Sequence, residues 1–199
     1  MIICEVCNKI DGALNCAFKH DLYLPQVGNT TDNCGNLCWP DMKEGDFVKV
    51  DRSTISSFET GINPYPRPIP TLQPMPRNAT DFQFSANIVR MDVNHDFVVG
   101  LYSDIYFACY SHGYIQFHDK QIEHLDSLKV GDKITFALRR ISIANDNLNL
   151  CHVMLNGQRC CEDVILEGLN IYPFFKITSP ATEIVTSFQI KQFSDASGI

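Results

Sequence analysis

Along most of this chain the apolar residues recur at every second position. In DFQFSANIV, Phe82, Phe84, Ala86 and Ile88 share one parity, while Gln83, Ser85 and Asn87 share the other. Successive strand side chains point to opposite faces, so this period predicts a half-buried strand. FVVGLYS is a more continuous apolar run that suits a central strand. In ITFALRR, Ile134, Phe136 and Leu138 point one way and Thr135 and Arg139 the other. The phase then breaks, with Ile141 and Ile143 apolar at odd positions, which predicts a bulge or turn near Arg140. EGDFVKVDRS offers a short alternation at Phe47, Val48 and Val50, and YPFFKI and EIVTSFQI read as further strands. IANDNLN reads as a polar loop. LCHVMLNG leads into Asn156-Gly157, a dipeptide that favours the two-residue hairpin turn needing positive φ. Only QIEHLDSL, with Ile122, Leu125 and Leu128 at three-residue steps, predicts a short helix.

Three compositions follow one another. Residues 1–42 form a cysteine-rich, polar, turn-prone segment, and residues 43–192 carry the strands. Within the second unit lies a connector, 62–76, that holds six of the ten prolines. Proline lacks the amide hydrogen of a sheet ladder, so this stretch is expected to be a packed connector or an edge. No two of its prolines stand three apart, so they do not line one face of a polyproline helix.

A length of 199 residues fits one domain with a small appendage, and 45% hydrophobic content is enough for a core. Thirteen Phe and seven Tyr favour strands, because flat rings pack well on a pleated surface. The net charge of −7 argues against nucleic acid or an anionic membrane as partner. No stretch has the length of a membrane span, and MIICEVCNKIDG lacks a secretory leader, so a cytoplasmic protein is expected.

Nine cysteines are many for such a protein. Cys4 and Cys7 form a Cys-x-x-Cys pair; Cys16 with His20, and Cys34 with Cys38, stand at spacings open to further ligand pairs. These six exceed the four ligands of a structural zinc, so a subset would serve. Reduced packing thiols are the plainer reading, and disulfides rank last despite sequons at Asn29 and Asn78. No other cofactor is expected. Cys109, Cys151, Cys160 and Cys161 read as reduced packing residues, and His152 could face either side of its strand.

The succession Val99-Gly100-Leu101, Gly113-Tyr114, Gly131-Asp132, Asn156-Gly157, Tyr172-Pro173 and a closing EIVTSF resembles the SPRY domain family over residues 81–190. It departs from the family pattern in having Val153, Met154 and Leu155 before the Asn-Gly turn, and Ser187-Phe188 at its end. The resemblance implies an all-β fold, an antiparallel β-sandwich of the concanavalin-like jelly-roll type behind the cysteine-rich segment. It also implies a non-enzymatic module that recognises a protein or short peptide through loops at one end, in an adaptor or substrate-recognition role. Loops vary without disturbing a core, and tyrosine gives large contacts at low entropic cost. The partner-binding candidates are therefore Tyr102, Asp104, Tyr106, Tyr110 and His112 in one loop and Asn145, Asp146 and Asn147 in another.

Two alternatives stand behind this reading. NCAFKHDLYLP and YSHGYIQFHDKQIEH loosely resemble the cysteine and histidine boxes of NlpC-type cysteine peptidases, with Cys16 and His112 as the pair and His118 or His124 as substitutes. A carbohydrate-binding, lectin-like sandwich is the other, since architecture alone does not separate the two.

Overall fold

The computed structural model describes residues 37–42, 47–57, 68–77, 79–91, 97–103, 106–118, 120–125, 128–143, 146–177, 179 and 182–192. Two antiparallel sheets account for these residues, and no helix occurs among them. The larger sheet has eight strands: β1 (Val48–Asp51), β2 (Thr54–Ser57), β4 (Ala79–Arg90), β9 (Lys133–Ile143), β10 (Asp146–Leu155), β11 (Gln158–Arg159), β12 (Val164–Glu167) and β14 (Glu183–Gln192). Their order is β1-β2-β14-β4-β9-β10-β11, with β12 also paired to β10. The smaller sheet runs β3 (Ile69–Pro70), β13 (Tyr172–Ile177), β5 (Phe97–Tyr102), β6 (Phe107–Ser111), β7 (Tyr114–Phe117), β8 (Lys120–His124). The antiparallel β-sandwich that the resemblance implied is thus the observed architecture.

The core lies between the sheets and is built from the parities read in the sequence. Phe82, Phe84, Ala86 and Ile88 of β4 face Phe97, Val99 and Leu101 of β5 within one apolar cluster, joined by Ile134, Phe136 and Leu138 of β9. Phe84 stacks on Phe136 and on Phe188 across neighbouring strands. Such cross-strand ring pairs stabilise a sheet beyond the area they bury. Trp39 belongs to the same cluster although it precedes the first strand: its ring edges onto Phe175 of the smaller sheet and Phe84 of the larger. Its indole nitrogen donates to Thr186 Oγ1 at 2.9 Å. Leu37 is buried there too, so the segment placed outside the sandwich by a boundary at 42 sends its last residues into the core.

Four local expectations change. β9 continues in register with β10 through Ile143↔Asp146, so the broken phase at Arg140 is not a bulge. Instead the outward face of the strand becomes apolar at Ile141. IANDNLN is mostly strand, because its asparagines pair across the sheet: Asn147↔Ser142 and Asn149↔Arg140. QIEHLDSL is not a helix: Ile122 lies on edge strand β8, and Leu125 and Leu128 close the core beyond it. The supposed loop from Tyr102 to His112 shrinks to the residues between Tyr102 and Phe107; Phe107–Ser111 is β6, and His112 begins the turn after it. The proline-rich stretch behaves as expected where it is described. Ile69 and Pro70 pair with β13 as its edge, and Met75 N donates to Ile171 O at 2.7 Å.

Candidate functional site

One end of the sandwich is assembled from segments distant in sequence, and polar side chains hold them together. Asn149 of β10 is fully buried, and its Nδ2 donates to the carbonyls of Leu166 and Gly168, each at 3.0 Å. This fastens β12 and the turn after it to the β9–β10 pair. Asn149 Oδ1 accepts from Arg140 Nε at 3.4 Å, and the guanidinium also donates to the Arg77 and Leu169 carbonyls. Burial, and then the nearby charge of Arg77, lower the pKa of Arg140.

Gly168, at φ +123, comes so close to the β5–β6 loop that an added Cβ would meet Ser103 Cβ at 3.1 Å. Ser103 closes that loop: its amide donates to Tyr106 O at 2.7 Å, and Tyr106 N donates to Ser103 Oγ at 3.1 Å. β10 at Asn149 and the base of the β5–β6 connection at Ser103 are therefore brought to the same end, joined through Gly168 of the β12–β13 connection.

The surface there is partly apolar. Leu169, in the connection, is 38% exposed, and Ile165 of β12 is 49% exposed. Ile165 pairs with Leu150, and Leu148 with Ile141, so four aliphatic side chains share the outer face at this corner of the larger sheet. The outer face of a sheet is normally polar, so this corner is a departure that asks for a partner. Further along the same face, Ala137 is flanked by Gln83 and His152 across the sheet, and its short side chain leaves a groove of about 320 Å³. His152 Nδ1 lies 2.6 Å from Asp163 Oδ1, and Arg159 binds the same carboxylate. That contact places the imidazole proton on Nδ1. His152 thus faces outward, the side the sequence left open.

No family model matches the chain, and no curated protein does. Among solved structures, a human SPRY domain superposes with a TM-score of 0.54 at 16% identity, covering 71% of this chain and 94% of its own. The fold is that of a SPRY domain. The TRIM65 PSpry domain gives a TM-score of 0.51 at 10% identity, covering 77% of this chain and 90% of its own. A galectin from Caenorhabditis elegans, LEC-6, is a more distant match, with a TM-score of 0.34 at 10% identity, covering 68% of this chain and 96% of its own.

On this SPRY-like sandwich the candidate residues fall into distinct places. Tyr106 is half-buried in the β5–β6 loop, stacked on Phe117 at 5.8 Å and edged by His118. Tyr102 is 7% exposed and stacks on Tyr172. Tyr110 is fully buried against Phe97, facing the core from β6. It is a packing residue, which corrects its assignment to the binding loop. His112 stands in the exposed β6–β7 turn at φ +48, its Nδ1 2.8 Å from Ser111 Oγ. That turn leads back from the far end of β6, so His112 is not brought together with Tyr106. Asp146 and Asn147 begin β10 at the convergent end, while Asp104 and Asn145 lie outside the described residues.

Of the metal candidates, Cys4, Cys7, Cys16, His20 and Cys34 lie outside the described residues, as does the Cys16 side of a Cys16–His112 pair. Cys38 is exposed beside the buried Trp39. Among the described residues no group of three His, Cys, Asp or Glu side chains is placed to hold a metal ion. His124 stacks on Tyr114 at 4.4 Å. The residues the sequence did not mark are Asn149, Arg140, Ile165 and Leu169. The signal for the apolar corner was present in the inverted phase at Ile141.

Proposed function

We propose that this chain is a non-enzymatic protein-interaction module that recognises a partner protein or a short peptide, in an adaptor or substrate-recognition role. The contact surface is the end where Ser103 and Tyr106, the start of β10 and the β12–β13 connection come together. The observation that carries this reading is the exposure of Ile165 and Leu169 at that end, beside the buried clamp of Asn149. Aliphatic side chains on a rigid, polar-rimmed surface are what a partner's apolar anchor needs, and little backbone change is required to meet it. Tyr106 and Asp146 border the same end. The cytoplasm is the compartment proposed for this activity, and no cofactor is assigned to it.

The test is quantitative capture with the intact chain against a chain carrying Ile165→Asp and Leu169→Asp. Both positions are exposed, so the melting temperature should stay within about 2 °C, because surface substitutions rarely move stability further. Partners retained by the parent chain should fall at least tenfold with the variant. An unchanged set of partners would reject this surface. A parent chain that captures no protein but binds a glycan array would favour the lectin-like alternative instead.

A further inference from the structure

Two arginines come together at the convergent end without a carboxylate between them. Arg140 of β9 spreads its guanidinium over three neutral acceptors: Asn149 Oδ1 at 3.4 Å, the Leu169 carbonyl at 3.4 Å and the Arg77 carbonyl. A guanidinium has five N–H donors, so two stay uncommitted among the described residues. Arg77 is exposed, and its charge lies close enough to repel that of Arg140. Burial, and then this repulsion, disfavour the charged form of Arg140. A guanidinium nevertheless keeps its proton at any ordinary pH, so the positive charge stays.

The backbone on either side fixes this arrangement. Ala79 N donates to Pro76 O at 3.0 Å and closes a turn around Arg77, while Met75 N donates to Ile171 O at 2.7 Å. The Arg140 side chain ties that turn to the β12–β13 connection through the Arg77 and Leu169 carbonyls. Elsewhere on the larger sheet the chain neutralises such charges. Arg139, the neighbour of Arg140, pairs with Asp81 at 3.2 Å, and Arg159 binds Asp163. Carboxylates are not scarce either, with 23 acidic residues against 16 basic ones. Among the described residues, however, none pairs with Arg77 or Arg140. Like charges held together gain from an anion supplied from outside, and a carboxylate can accept from a guanidinium fork in two places.

What stands beside the pair narrows the carrier of that anion. Leu169, whose carbonyl Arg140 holds, is 38% exposed, and Ile165 of β12 is 49% exposed. A bare inorganic anion would leave both side chains in water. A polypeptide offers a carboxylate and an aliphatic side chain on neighbouring residues, so one segment answers both features. The net charge of −7 does not oppose this at physiological salt, where exposed charges more than about 8 Å apart are largely screened.

We propose that Arg77 and Arg140 form an anion-receiving position at the rim of the apolar corner, and that its occupant is an acidic segment of a partner protein. An aspartate or glutamate side chain of that segment bridges the two guanidiniums, and an adjacent aliphatic side chain rests on Leu169 and Ile165. This rests on the interaction surface proposed above and gives its partner a chemistry. Buried aliphatic contact supplies affinity there, and the matched charge supplies selectivity.

The test selects on the full chain from a displayed library of short random peptides, each flanked so that neither terminus is free. Enriched peptides should carry an aspartate or glutamate beside an aliphatic residue. Fluorescence anisotropy then compares one such peptide with its Asp→Asn or Glu→Gln counterpart, on the parent chain and on Arg77→Glu. The substitution sets a carboxylate beside Arg140 from within the chain. The acidic peptide should therefore bind it at least about tenfold more weakly, a loss that the amide counterpart does not share. The urea midpoint of Arg77→Glu should be no lower than the parent's, because an exposed side chain is exchanged and a repulsion becomes an attraction. Enriched peptides without acidic residues overturn the proposal, as do acidic peptides that Arg77→Glu binds as tightly as the parent, and as does the absence of enrichment. The surface itself is judged separately, by the chain carrying Ile165→Asp and Leu169→Asp. Peptides that this chain loses, but that hold no acidic residue, leave the surface standing and remove only its anion position.

Discussion

Gly100 shows how little room single positions leave in this fold. It lies on β5 opposite Cys109, and a Cβ there would sit 2.2 Å from the Ala108 carbonyl oxygen and 2.5 Å from Cys109 Cβ. The oxygen belongs to the sheet backbone and has no way to retreat. Gly100→Ala is therefore expected to lose at least about 2 kcal/mol of stability, read as a fall in urea midpoint with an unchanged slope. Tyr110 gives a second residue-scale expectation, through pH. Its burial raises the phenol from 10.0 to about 12, with a backbone hydrogen bond at Gly113 opposing part of the rise. The unfolded chain then loses this proton near the ordinary tyrosine value while the folded chain keeps it. Below that value the contribution is fully present; as pH rises towards 12 it is lost, up to about 2–3 kcal/mol. Urea unfolding at pH 9 and 11 should show the decline, and Tyr110→Phe should flatten it relative to the parent.

At the scale of elements, the convergent end depends on the buried amide of Asn149. Its two bonds to the Leu166 and Gly168 carbonyls hold β12 against β10 and set the turn that meets Ser103. Replacing it by alanine leaves the buried Leu166 carbonyl and the part-buried Gly168 carbonyl without their donor, so Asn149→Ala should cost about 2–3 kcal/mol. Amide exchange in β12 should accelerate more than in β4, which depends on other contacts, and partner capture should fall with it. Equal exchange in both strands would show that Asn149 does not fasten this end. The elements also show what the sequence could and could not reveal. β4 was legible because one face meets the core and the other meets water, so polarity alternates with the pleat. β9 misled at Ile141, because alternation records polarity, and an apolar outward face looks like a slipped register. IANDNLN looked like a loop because its asparagines are polar, yet one of them, Asn149, is buried and pairs in the ladder. Three-residue spacing in QIEHLDSL imitated a helix, although Leu125 and Leu128 plug the end of the sandwich after a strand. Tyr110 looked like a loop tyrosine because its hydroxyl makes it equally at home in a core or at a surface.

For the whole molecule, the decisive side chain lies before the first strand. Trp39 rests against Phe175 on one sheet and Phe84 and Phe188 on the other, and its ring nitrogen is tied to Thr186. A single aromatic that touches both layers couples them, so its loss is felt as a cavity shared by the two sheets. Trp39→Ala is expected to destabilise the full chain by about 3–5 kcal/mol, enough to approach the whole stability of an ordinary domain. Trp39→Phe should recover most of that, short of about 1 kcal/mol for the missing hydrogen bond to Thr186. Both are measured by far-ultraviolet circular dichroism in urea, since the substitutions remove the only tryptophan and with it the fluorescence signal. A chain beginning at residue 43 lacks this ring altogether and should behave like the alanine variant or worse. If instead it unfolds at the parent's urea midpoint, the two sheets cohere without Trp39, and the cysteine-rich segment is an appendage that the sandwich does not need.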